Sequence, residues 1–219
     1  MLFRSGDGFE VAEPLATKMA SKPHDQQPVP LLSPKYRYYD DEFERYWPFF
    51  FAYGRFGYNP DTAIAVWQKQ FERHYGKEAA PSIERGLERA SGILPRIIGY
   101  SLPLSKFPTT RGWPERQRWD DLPDYTAAEP SDIQLFGSFK EEACNLLTRS
   151  TTCKIRPQQT SEWFAVRAKE VLDCVDEAQR RSGPSPSKEF VCTLVDLQIL
   201  AHLAEYHSEI GRASCRERV

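Results

Sequence analysis

The strongest constraint on the fold is the run KEFVCTLVDLQILAHLAEYH at residues 188–207. Its Phe190, Leu194, Leu197, Ala201 and Ala204 recur at alternating intervals of four and three, which lays them along one side of an α-helix. A stripe of that length has to be covered by other apolar surface. Two-residue alternation, the mark of a half-buried strand, is scarce elsewhere in the chain, so the covering surface is expected to be helical too. The expected fold class is mainly α, about six helices in an irregular helical domain, with no internal repeat.

The other helices follow from similar patterns. DDEFERYWPFFFAYGRFGY places Phe43, Tyr46, Trp47, Phe50 and Tyr53 at helical spacing, with Asp40 and Asp41 suited to the N-terminus. Pro48 either kinks this helix or marks its real first turn. Asn59-Pro60 ends it. Asp61 or Thr62 then caps TAIAVWQKQFERHYG, with Ala63, Val66, Trp67, Gln70 and Phe71 on one side and Gly76 as the stop. A third helix opens near Pro81 and runs through Ile83, Leu87, Ala90 and Leu94 to Pro95, bending on to Ile98. Ser131 is expected to cap SDIQLFGSFKEEACNLL, and Thr160 or Ser161 to cap EWFAVRAKEVLDCVDEAQRR, which ends at Gly183. Ser187 caps the last helix.

Irregular stretches divide these helices. Residues 1–34 carry Pro14, Pro23, Pro28, Pro30 and Pro34, and read as an extended segment leaving an upstream domain. Residues 35–208 form the helical domain. At the far end, IGRASCRERV (Ile210–Val219) resembles one reading frame of a short-read sequencing adapter, ATC GGA AGA GCG TCG TGT AGG GAA AGA GTG, and the two preceding adapter bases, AG, fit a Glu209 codon. Residues 209–219 are therefore expected to be an artefact of library preparation, and the helical domain to be truncated at its C-terminus. Leaving out Ile210–Val219 removes three arginines and one glutamate and takes the formal charge from −2 to −4. It also removes Cys215, the odd fifth cysteine.

Composition narrows the function classes. With 40% hydrophobic and 13% aromatic residues the chain can bury a substantial core. Mild acidity, with no concentrated basic face, argues against nucleic acid. Arg180-Arg181 suits the C-terminal end of a helix. WPFFFAYG, the longest apolar stretch, is too short to span a bilayer. Cys144, Cys153, Cys174 and Cys192 show neither C-x-x-C nor metal-like spacing, and no phosphate- or dinucleotide-binding glycine loop occurs, so neither metal nor cofactor is expected.

Candidate chemistry sits in a few places. The aromatics between Tyr36 and Tyr58 offer sugar-stacking rings. Phe49, Phe50 and Phe51 span about 200° of a helix and cannot share one ligand-facing stripe. They are expected in the core, with Tyr36, Tyr38 and Tyr39 outside it. His202-x-x-Glu205-x-His207 turns its two imidazoles about 140° apart, unlike the i,i+4 pair of a zinc site. Asp120-Asp121 and Glu141-Glu142 are carboxylate pairs of the kind glycoside hydrolysis needs, although adjacent acids at helix and turn starts more commonly serve as solvated caps. The loop FPTTRGWPERQRW at 107–119 offers the best ligand-binding set. Arg111 and Arg116 are suited to grip a carboxylate, and Trp113 and Trp119 to stack on a sugar or plug the helical core.

From Tyr38 to Gly76, and on through AAPSIERGLERASGILP, the sequence resembles the helical region that follows the catalytic barrel of α-glucuronidase-like glycoside hydrolases. The cue is an aromatic helix, a turn with Gly57, Asn59, Pro60, Asp61 and Thr62, then a tryptophan-bearing helix ending in Tyr75-Gly76. The likeness covers residues 36–100 well and the rest loosely, and also extends to large carbohydrate-active proteins of environmental bacteria. It implies a (β/α)₈ barrel upstream, in which the catalytic acids lie on strand-end loops absent from this chain, so no catalytic residue is carried over. It further implies a partner in the upstream catalytic domain, a polysaccharide or oligosaccharide ligand of uronic-acid type, and a periplasmic or extracellular location. The alternative is a non-enzymatic helical binding or scaffold module.

Overall fold

A computed structural model describes residues 33–40, 42–101, 126–127 and 129–217. The protein is mainly α. Its described helices are α1 (Glu42–Arg45), α2 (Trp47–Tyr58), α3 (Ile64–Tyr75), α4 (Ala80–Ser91), α5 (Ile93–Ser101), α6 (Phe139–Thr148), α7 (Pro157–Arg181) and α8 (Lys188–Glu217). Among the described residues there is no strand, only a parallel bridge between Phe136 and Ile155.

The core is built on α7, α8 and α4. The two long helices form an antiparallel pair across the 182–187 turn, and α4 packs mainly on α7. Both contribute a heptad-like seam. On α7 it is Phe164, Ala168, Val171, Val175 and Ala178; on α8 it is the predicted stripe, all buried. Alanines at four of these ten positions let the backbones approach closely, and Phe164 and Leu197 fill the space between. Ile83 and Ala90 of α4 and Ile93 and Ile97 of α5 complete the cluster.

Helix boundaries settle the role of Pro48 and correct the sequence reading in three places. Pro48 stands in the first turn of α2, and the chain breaks at Tyr46, so α1 is a separate turn. Thr62 does not cap α3; its hydroxyl donates backwards to the Asn59 carbonyl at 2.6 Å. Ser131 likewise donates to the Ile98 carbonyl, and α6 starts eight residues later. There Ser138 forms a reciprocal capping box with Glu141. Thr160 and Ser161 lie buried inside α7, which opens at Pro157. The three misplaced caps have the same origin: a hydroxyl can serve a turn or bond within a helix as well as open one.

Other signals hold. Ser187 accepts from the Phe190 amide at 3.1 Å, and Gly76 ends α3 at φ 79°, a conformation that side chains disfavour. Arg180 and Arg181 occupy the last turn of α7. Beyond the predicted stripe, α8 continues through Ile210–Glu217. Ile210 and Cys215 pack on the core and Ser214 is fully buried. At Gly211 a Cβ would meet Ser161 Oγ at 2.3 Å.

Candidate functional site

The predicted ligand set, Arg111, Trp113, Arg116 and Trp119, lies outside the described residues, as does Asp120-Asp121. The structure does place the other candidates. Glu141 closes the capping box and pairs with Lys154 at 2.6 Å, and these contacts hold its carboxyl below the usual range. Glu142 is buried and clasped by the Arg156 guanidinium, whose Nε contacts both carboxylate oxygens at 2.9 and 3.0 Å. The pair thus joins α6 to the start of α7. On α8, His202 is exposed and bonds Glu205 at 2.7 Å, while His207 is buried. Burial holds the His207 imidazole down at about 4. Among the described residues no group of His, Cys, Asp and Glu could hold a metal ion, and no helix is long and apolar enough to cross a membrane.

The aromatic segment departs most from expectation. Trp47 is buried and Phe51 packs against the core, but Phe43, Phe49, Tyr53, Phe56 and Tyr58 are exposed, Tyr58 at 93%. Tyr39, expected outside, is 5% exposed. The helix has more aromatic surface than one supporting face can cover, so only the Trp47 and Phe51 side is absorbed. Some of the rings left outside pair within the segment: Phe43 stacks on the half-buried Phe50 at 4.6 Å, and Phe49 lies parallel to Tyr53 at 6.5 Å.

A polar cluster that fixes this helix is the best-defined site. Glu189, near the start of α8, accepts from Trp47 Nε1 at 2.8 Å, and His74 Nδ1 lies 3.1 Å from both its oxygens. Trp47 stacks on His74 with centroids 4.1 Å apart and planes within 9°. The ring's other nitrogen meets the Gln70 amide at 3.4 Å. An ionised carboxylate only accepts, so the Nδ1 proton points to Glu189. Around this core, Tyr75 bonds Thr193 at 3.3 Å. Burial pushes the Tyr75 phenol up to about 12 and raises Tyr38 as well, with Glu189 adding to both. Arg45 reaches Asp196 at 3.6 Å. Both imidazole nitrogens are engaged, which makes the arrangement an anchor for α2 and α3 on α8. Sequence reading missed it because His74 and Glu189 are 115 residues apart and neither sits in a motif.

A second cluster stacks four side chains. The Arg96 guanidinium lies 4.8 Å from the Phe136 ring and 4.9 Å from Trp163, and Arg167 lies 5.1 Å from that same tryptophan. Trp67 meets Phe51 and Phe56 at 5.0 and 4.9 Å. Each described tryptophan therefore has ring or guanidinium neighbours against its indole, which leaves less face for a sugar.

No family model matches the chain, and neither a curated protein nor a solved structure is similar to it at a significant level.

Proposed function

We propose that this chain is the helical support region of a carbohydrate-active, glycoside hydrolase-like protein, and that the outward side of α2 seats a catalytic domain preceding it in the same polypeptide. The observation that carries this reading is the exposed aromatic ridge of Phe43, Phe49 and Tyr53, whose rings are linked through Phe50. Apolar patches of this kind mark contact surfaces. The path of the chain supports the same partner. Before α1 it runs beside α8, where Cys192 Sγ donates to the Tyr36 carbonyl at 3.5 Å and Tyr39 is buried. A preceding domain would be tethered beside the ridge, at high effective concentration. In this reading a uronic-acid-bearing polysaccharide is the substrate, and Arg111, Trp113, Arg116 and Trp119 are loop residues lent to its cleft.

The test is to sequence the source DNA outward from both ends and express the longer protein. Alternating strand and helix patterns upstream, together with protection of Phe49 and Tyr53 from hydroxyl-radical labelling in the longer protein, are the expected results. An upstream region without that alternation overturns the reading.

One observation favours a second reading, a non-enzymatic binding or scaffold module. Val191, Val195, Ile199 and Tyr206 form another exposed apolar row on α8, away from its buried stripe. A small self-contained enzyme using Glu141 gains no support, since a general acid needs its pKa raised and the contacts of Glu141 lower it.

A further inference from the structure

Between the end of α6 and the start of α7 lies a half-open surface cavity of about 340 Å³, lined by Asn145, Arg149, Ser150, Thr151, Thr152 and Arg156, with Leu146 as its apolar wall. Among the described residues no carboxylate lines it. We propose that it binds a small ligand through an oxyanion, either a carboxylate or a phosphate, on a body the size of a monosaccharide.

The donors are arranged for this. Arg156 spends Nε and Nη2 on Glu142, whose buried carboxylate fixes the guanidinium plane. Its Nη1 protons are left for a ligand. Because Glu142 offsets the charge of Arg156, the cavity's uncompensated cation is Arg149, which no described carboxylate pairs. Arg149 is held at φ 55°, with its amide and that of Ser150 both bonded to the Asn145 carbonyl. Arg149 lines the cavity directly after the end of α6. Thr152 Oγ accepts from the Lys154 amide at 3.1 Å, so its own proton points elsewhere. Ser150 donates its hydroxyl proton to Thr148, which itself donates to the Cys144 carbonyl; two guanidinium groups and the hydroxyls of Thr151 and Thr152 remain to match the oxygen atoms of a carboxylate or phosphate. The volume is at the lower end of the range for small-molecule sites. The site stands independently of the glycoside hydrolase reading.

The test is titration of the ¹⁵N-labelled full chain with glucuronate, glucose 6-phosphate and inorganic phosphate at matched ionic strength, with glucose and sodium chloride as controls. Saturable shifts at Ser150–Thr152 with at least one oxyanion, none with glucose, and about tenfold weaker binding in Arg149→Gln are expected. Tighter binding of glucuronate assigns the carboxylate; tighter binding of the phosphates assigns phosphate. Thr151→Val, at an exposed position, should weaken binding about fivefold and serves if the arginine variant misfolds. Responses that chloride reproduces, or that both variants leave intact, overturn the site.

Discussion

The α7–α8 pair and the α1–α2 segment are both rich in apolar residues, yet one is almost wholly buried along its seam and the other is largely exposed. The difference lies in distribution, not amount. On α8 the buried stripe sits at intervals of four and three on one side of the helix, where α7 covers it together with α4, whose Gly86 lies against Leu197. On α2 the rings surround the axis, and a single support can bury only the Trp47 side. Size adds to the contrast. Alanines in the α7–α8 seam allow close backbone approach, whereas consecutive phenylalanines on α2 hold neighbours away.

Substitutions can break that comparison. The largest effect is expected for Phe164→Ala, which empties a fully buried site between the long helices and should cost about 3–5 kcal/mol in urea unfolding. Acid should act on the same region. His207 takes a proton near pH 6.5 when unfolded but only at about 4 when folded, so the unfolded state binds more protons between those values. Stability should fall as pH drops below about 6.5 and have lost about 3 kcal/mol once pH is below 4. His207→Gln should flatten that part of the pH profile; an unchanged slope would mean that the buried imidazole is not its source.

The anchor of the aromatic helix comes next. Glu189→Ala removes the acceptor of Trp47 and His74 and should cost about 1–3 kcal/mol. It should also shift tryptophan emission to the red and expose α2 to protease before the α7–α8 pair. Simultaneous loss of both regions would show that they unfold as one unit. The smallest effect is expected at Tyr53→Ser on the open side of α2, within about 0.5 kcal/mol. That change should lower binding of a hydrophobic dye. A cost above 1 kcal/mol, by contrast, would mean that the ridge is supported within this chain.

Much of the helical skeleton was legible in the sequence. The stripe of Phe190, Leu194, Leu197, Ala201 and Ala204, the Ser187 cap and the Gly76 stop rest on local periodicity and backbone preference. These need no knowledge of distant residues. Cap assignments at Thr62, Ser131, Thr160 and Ser161 failed because one side chain can bond forwards into a helix or backwards into a turn, and neighbouring segments decide which.

What only the tertiary structure decided is which side of an apolar helix is covered and which distant polar groups meet. Glu189 joins His74 and Trp47 across more than a hundred residues, and Arg156 finds Glu142 because α6 and α7 converge. Local pattern fixes where a helix can form and which stripe it offers. The surfaces available to cover that stripe are set by the packing of all the helices together, since an apolar face is buried only where another surface of matching shape is present.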